Sequence, residues 1–399
     1  MRTAVLGAGA IGTTAAYDLA TRGADVTVFE RESVAAGSSG RASGLCYDAY
    51  AGRTDAAVGD RALERFRELS GTGDFEFTDR PYVWLAREGD ERRAAAIREQ
   101  VGRMREHGRN VSLLSKAALA DRFSALETDD VAVAAVAENA GHADPASYAA
   151  AMADRAREAG ATIRERTPAT LREGGDGNEG PVVETDGGRE SFDAVLVAAG
   201  AHTRRVLAAA GIAVPLKPYR VQALVTGPTP VRDRDALPML FDATGGYYLR
   251  PYGAGLLVGD GTEPVERDPD DWDRGADDWF VEDCAGYLAS ALGEALGAEG
   301  DEGAALGAGG ATALPVERAW AGLCTATPDG DPLLGECAPG VYVAAGWQGH
   351  GFMRAPALGE VIAEGMLGGE GIGGFAPTRF DGSEDFEIVE GMDVAVEPE

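Results

Sequence analysis

Three glycines near the start of the chain, Gly7-x-Gly9-x-x-Gly12, are followed eighteen residues after the last of them by Glu30. Glycines at this spacing leave backbone N–H groups bare and let an anionic group approach the main chain. An acid beyond them can accept hydrogen bonds from a ribose 2′-hydroxyl. A second glycine stretch, GWQGHGFMRAP at 346–356, lies near the other end of the sequence. Its Gly346, Gly349 and Gly351 permit close approach, and the RAPALGEVIAEGML that overlaps its end reads as a helix. The first turn of such a helix presents N–H groups and positive partial charge to an anionic or electron-rich group.

The elements that must position these residues are legible around them. A β-branched strand (about 3–6) runs into the first glycines, an alanine-rich helix follows, and a second strand, DVTVF, ends beside Glu30. Strand, glycine turn, helix, strand and acid together specify dinucleotide binding far better than the glycines alone. The acid disfavours a 2′-phosphate, which makes NADP the least suitable ligand. The small, polar residues after Glu30 suit a loop laid along a long ligand.

From here the residues carry a family resemblance. ERESVAAGSSGRASGL (30–45) resembles the adenosine-to-flavin loop of the D-amino-acid oxidase superfamily, in particular its glycine oxidase and sarcosine oxidase branch. In the same order follow HADPASYAAAMADRAREAGA (142–161), FDAVLVAAGAHTRRVL (192–207), GGYYLRPYGAGLLVGDG (245–261), ERAWAGLCTATPDGDPLLG (317–335) and the closing glycine stretch. The resemblance implies an α/β fold: a Rossmann-like FAD-binding domain, discontinuous in sequence, and a second, α+β mixed-sheet substrate domain. We read the FAD domain as 1–74, 141–214 and 316–371, the substrate domain as 75–140 and 215–315, and 372–399 as an acidic tail. ERRAAAIREQVGRMREHG reads as a solvated helix. GGDGNEG (174–180) reads as a hairpin tip, and the stretch holding Gly307, Gly309 and Gly310 as a loop without the strand a phosphate site needs.

For the cofactor the resemblance implies Gly7, Gly9, Ala10, Ile11, Gly12, Glu30 and Arg31, then Ser38, Ser39, Arg41, Ala42 and Gly44 of the loop, then Ala199 and Gly200. At the closing stretch it implies Gly346, Gly349, His350, Gly351, Phe352 and Met353. Those N–H groups and the helix dipole would lie at the pyrimidine end of the flavin and stabilise the charge that develops when it accepts a hydride. The implied activity is oxidation of a C–N bond in a small amine or amino acid, with FAD as hydride acceptor. Related flavoproteins oxidise C–OH bonds, so a 2-hydroxy-acid or polyol-phosphate dehydrogenase is a second reading. A flavin-binding subunit of a larger complex is a third.

Departures from the family pattern are informative. Cys324 stands where glycine oxidase-like proteins place a carboxylate-clamping arginine, and a charge-assisted hydrogen bond is worth about 1.5–3 kcal/mol. Arg250 is the first replacement candidate, with Arg220 and Arg354 behind it. Tyr248 matches a tyrosine that lines the substrate cavity, while Tyr47, Trp347 and His350 are further cavity candidates, His350 as a flavin contact rather than a base. Tyr248, Arg250 and His350 are thus the catalytic candidates. Leu257 replaces an oxygen-activating lysine, which points to an acceptor other than oxygen. Gly322 and Arg41 replace the cysteine and histidine that bond flavin in sarcosine oxidase-like and dimethylglycine dehydrogenase-like relatives, so the FAD is expected to be non-covalent.

Composition bounds the partners. The 399 residues are 45% hydrophobic and 26% charged, a globular balance with room for two domains. The sequence has no run of eighteen apolar residues to cross a membrane, and the dinucleotide motif begins within ten residues of Met1; a cytoplasmic location is expected. Four cysteines (Cys46, Cys284, Cys324, Cys337) and four histidines are scattered without metal-ligand spacing. The net charge is −30, from 66 acidic and 36 basic residues, and only Lys116 and Lys217 are lysines. Such a surface repels nucleic acid and anionic lipid. The acids are spread along the chain, which suits life in concentrated salt, where screening relieves self-repulsion. Thermal unfolding should therefore move to higher temperature between low and molar salt; an unchanged or falling midpoint would contradict this reading.

Overall fold

The computed structural model describes residues 1–172, 180–229, 231, 236–296 and 315–389. The glycines at 307, 309 and 310, and residues 174–179 of the expected hairpin tip, lie outside the described residues. Two sheets carry the architecture. The first has six strands, ordered Leu333–Ala338, Val341–Ala345, Ala194–Val197, Arg2–Leu6, Asp25–Phe29 and Thr162–Arg164. Neighbours run parallel except the first pair. A parallel strand is covered on both faces and must be apolar throughout, as Ala4, Val5 and Leu6 are. Helices Ala10–Thr21, Pro145–Glu158 and Gly351–Met366 cover one face with Val5, Val26 and Val28 beneath them. On the other face lie helix Thr203–Ala208 and a small antiparallel sheet, whose Leu171 and Val183 meet Ala4 and Leu6.

The second sheet has eight strands, ordered Val316–Ala326, Lys217–Thr226, Gly255–Glu266, Tyr247–Tyr252, Met239–Asp242, Tyr82–Arg87, Val131–Ala137 and Val111–Leu114. Only the contact of Met239–Asp242 with Tyr82–Arg87 is parallel. Its outer face is covered by helices Lys116–Arg122 and Asp278–Leu292. Its inner face, through Trp84, Tyr248 and Trp320, joins the same core as Val5 and Leu358 of the first layer. The period of two puts Tyr248 inward, while Tyr247 turns outward onto the Tyr287 ring, 5.2 Å away. The expected boundary at 316 falls at the start of a strand of this sheet, and the chain crosses to the six-stranded sheet between 326 and 333.

The segment read as a solvated helix, Glu91–Glu106, is instead amphipathic. Ala94, Ile97, Val101 and Met104 recur every three or four residues and form a buried stripe against the eight-stranded sheet. The arginines between them mask that stripe in the sequence.

The two chain ends meet through helices Ala10–Thr21 and Gly351–Met366. They approach so closely at Gly359 that a Cβ there would sit 2.6 Å from Thr14 Cβ. Arg65, buried on helix Arg53–Leu69, ties both: it donates to the two carboxylate oxygens of Asp18 at 2.8 and 3.2 Å and to the Pro356 carbonyl at 2.8 Å. Gly359→Ala should therefore cost about 1–3 kcal/mol in denaturant unfolding, the range for overpacking. Gly365→Ala, on the same helix with open space around it, should not destabilise. Equal effects from the two would show that helix propensity and not contact decides.

Candidate cofactor and substrate site

The two glycine motifs open onto one cavity of about 580 Å³. At the N-terminal end the backbone decides the residue types. Gly7 has φ +110°, and a Cβ there would overlap the Ala198 carbonyl; one on Gly12 would overlap the carbonyl of Gly7 itself. Gly9 is extended and serves as N-cap of the first helix without a capping side chain of its own. A cap arrives from far along the chain instead: the N–H of Ala10 donates to Ser39 Oγ at 3.0 Å. Glu30 folds back onto the turn and accepts from the N–H groups of Ala8 and Glu32 at 2.8 and 2.9 Å. Ala10, Ile11, Ser38, Ala42, Ala199 and Gly200 also line this half of the cavity.

The loop after Glu30 is bolted to the rest of the wall. Ser38 Oγ donates to the Leu323 carbonyl at 2.6 Å, and the Trp320 indole N–H donates to the carbonyl of Arg41 at 3.0 Å. Gly44, φ +77°, lies so near the Ala143 carbonyl that no side chain fits. At the rim Arg31 and Arg205 both pair with Asp270, which also contacts His202 at 2.9 Å.

The closing loop is held from behind by residues that the sequence reading did not single out. Gly346, Gln348 and Gly349 all have positive φ, of +82°, +46° and +80°. Thr325 Oγ accepts the N–H groups of Gly346 and Trp347, and its carbonyl accepts that of Gln348 at 3.0 Å. Gln348, buried, accepts from Thr327 N–H at 3.1 Å and donates from its amide to the Val389 carbonyl at 2.8 Å. A non-glycine residue in the left-handed region persists only when its surroundings hold it there. Gly351, Phe352 and Met353 then start helix Gly351–Met366 at the cavity wall.

The acidic tail thus gains a place. Phe386 and Ile388 pack beside Tyr219 and Ala326, Lys217 donates to Asp385 at 2.7 Å, and Val389 meets Gln348. Residues 390–399 lie outside the described residues.

The catalytic candidates separate. Tyr248 lines the cavity and is buried, its ring lying over Gly259, where any Cβ would overlap the phenol. Gly259 is therefore a further residue missed in the sequence; only the strand pairing Tyr248↔Gly259 exposes it. Arg250 is on the same face but reaches behind the loop, donating to the carbonyls of Ser43 at 2.7 Å and Pro251 at 3.0 Å. Burial pushes its pKa down to about 10. His350 caps the closing helix and turns toward Tyr47, with its Nε2 3.3 Å from the phenol oxygen. Burial and then Arg354 push its pKa down to about 3, so the ring is neutral near pH 7. The further arginine candidates carry acids: Arg220 pairs with Glu263 and Asp277, and Arg354 with Asp55 at 2.7 Å. Leu257 is buried opposite Arg250, and Cys324 lines the cavity half-buried. Among the described residues no helix is long and apolar enough to cross a membrane, and no group of three or more His, Cys, Asp or Glu could hold a metal.

These features fit FAD. The cavity joins a glycine turn with a helix N-terminus at one end to a second helix N-terminus at the other, and side chains are excluded where a ligand must meet backbone. Comparisons with known proteins agree. Residues 2–365 match the family described as DAO, FAD dependent oxidoreductase. The chain is 26% identical over 380 residues to the glycine oxidase of Geobacillus kaustophilus, covering 90% of this chain and 91% of that one. It is 29% identical to a 4-methylaminobutanoate oxidase (formaldehyde-forming) of Paenarthrobacter nicotinovorans, over 92% of this chain but only 44% of that longer protein. Its fold superposes on the L-proline dehydrogenase from P. horikoshii with a TM-score of 0.81 and 26% identity, covering 95% and 97% of the two chains.

The tail contact is open to direct test. Ending the chain after Glu384 removes Phe386, Ile388 and the Gln348 partner, and should weaken flavin retention on dilution by about tenfold, roughly one lost hydrogen bond plus apolar cover. A truncated chain that keeps its flavin as well as the full chain would show the tail to be dispensable.

Proposed function

The chain belongs to the DAO family of FAD-dependent oxidoreductases and is an amine or amino-acid oxidoreductase; on that premise we propose that it is a dehydrogenase of small primary or N-methylated amines, with non-covalent FAD and an acceptor other than oxygen. The observation that carries this reading is the convergence of both glycine motifs and Tyr248 on one cavity. Bound FAD would supply a hydride acceptor for the carbon beside the substrate nitrogen. Gly7, Gly9, Ala10 and Ser39 would hold its diphosphate, and Glu30 a ribose. The N-terminal turn of Gly351–Met366 would meet the electron-accepting end, where its N–H groups stabilise developing negative charge.

The chain's own side chains do the rest. Val221, Ala223, Trp320 and Phe352 give the cavity apolar surface beside the polar Gln222 and Asp260, and apolar surroundings favour the neutral form of an amine, the form that can give up a hydride. Tyr248 presents the hydroxyl that orients the substrate. His350, neutral and turned to Tyr47, acts as a strut for the loop and not as a base. Arg250 places a buried positive charge behind the loop at Ser43. Leu257 leaves no cation at the place of the oxygen-activating lysine. Gly322 has no atom to bond flavin, and Cys324 sits two residues further along the strand, about 6.5 Å away.

A dye-coupled screen in molar salt tests the reading. Amines should reduce the dye and the matching hydroxy acids should not; the reverse pattern would favour a C–OH dehydrogenase. Acid precipitation of the same preparation should release all the yellow colour. Colour that stays with the pellet, but not in Cys324→Ser, would place a covalent link at that cysteine.

A further inference from the structure

Arg250 is 3% exposed, and its guanidinium donates from Nε to the Ser43 carbonyl and from Nη1 to that of Pro251. Nη2 takes no partner among the described residues and lies 3.4 Å from where a Cβ on Gly44 would stand. Gly44 lines the cavity, so one thickness of backbone separates this charge from the ligand space. The groups around it do not neutralise it. The Tyr252 ring centroid lies 5.1 Å from its central carbon. Burial holds the Cys46 thiol protonated. Burial, and then Arg250 and Arg80, push the His142 pKa down to about 3, so that ring is neutral near pH 7. Asp144 also acts on Arg250 but forms no ion pair with it, and its Oδ1 accepts the Ser147 N–H at 2.7 Å.

The bond to Ser43 fixes more than a side chain. The Ser43–Gly44 peptide is trans, so its C=O and N–H point in opposite directions. The carbonyl is turned back to Arg250, which turns the Gly44 N–H away from it, and that N–H has no partner among the described residues. Arg250 follows Tyr248 by two residues on the same face of its strand, about 6.5 Å along it. The bare N–H and the charge behind it thus belong to the Tyr248 end of the cavity. A charge in dry surroundings acts further than one in water, and a donor fixed in advance stabilises charge that appears later. We propose that Arg250 is a positioning residue for the flavin, an inference that rests on the FAD-dependent reading above. It aims the Gly44 N–H at bound FAD and sets an uncompensated positive charge behind it, so that the flavin takes up electrons more readily.

The midpoint potential of the holoenzyme flavin, titrated with dithionite against a reference dye, tests this without any amine. Arg250→Met should lower the equilibrium constant for two-electron reduction about tenfold, a fall of about 30 mV. Arg250→Lys keeps the charge and should recover most of that difference. Cys46→Asp leaves the arginine in place but gives it a counter-ion, and should move the potential in the same direction as Arg250→Met. It carries the test if Arg250→Met does not retain FAD. An unchanged potential in Arg250→Met, or in Cys46→Asp where that variant carries the test, overturns the proposal. A raised KM with an unmoved potential overturns it too, and would assign Arg250 to the substrate. Equal falls in Arg250→Met and Arg250→Lys would show that the charge plays no part, with the same consequence. Loss of FAD from both Arg250→Met and Cys46→Asp would leave the arginine as a support for the loop and nothing more, which also overturns it. A lowered potential in a chain that oxidises no amine would support this inference while the amine reading fails.

Discussion

The close approach of the first and last helices is the contact on which the rest of the molecule depends. Helices Ala10–Thr21 and Gly351–Met366 are separated by more than three hundred residues, and both must begin at the same cavity for either glycine motif to act with the other. Gly359 removes the side chain that would hold them apart at Thr14, and Arg65 fixes the arrangement through Asp18 and the Pro356 carbonyl. A buried ion pair of this kind adds little net stability against an apolar alternative. Its clear structural effect is geometric, since one guanidinium bonded to groups on two helices sets how they sit against the helix that carries it.

With that frame set, the cavity is completed by single long-range hydrogen bonds rather than by any one element. Ser39 caps the first helix, Ser38 ties the same loop to the substrate sheet, and Thr325 and Gln348 hold the closing loop in a left-handed conformation. Each joins a loop to a helix end, a strand or another loop, so the backbone is held where its sequence is richest in glycine. Such bonds matter because a backbone poised to receive a charge must not relax when the charge appears.

Electrostatics divides the molecule in two. Many arginines are matched with acid, as in the surface pairs of Arg31 and Arg205 and the buried pair of Arg220. Arg41, Arg274 and the buried Arg250 form no ion pair among the described residues, two at the cavity and one behind its loop.

What the sequence determined by itself was everything set by local backbone demands. Gly7, Gly9 and Gly12 follow a strand and open a helix, and only that context needs them. The closing glycines, the order of the motifs and the alternation that separates Tyr247 from Tyr248 were legible for the same reason. What only the tertiary structure decided depends on partners far away in the chain. Arg250 had the right type and face for a clamp, but Ser43, 207 residues away, receives its guanidinium. Gly259 matters because Tyr248 lies across it, and the acidic tail because Val389 meets Gln348. Helix Glu91–Glu106 looked solvated because its charged residues outnumber the four that the sheet buries. A residue's conformational freedom is a local property and can be read in order; its charge and hydrogen-bonding partners are set by packing, which brings together groups that the sequence keeps apart.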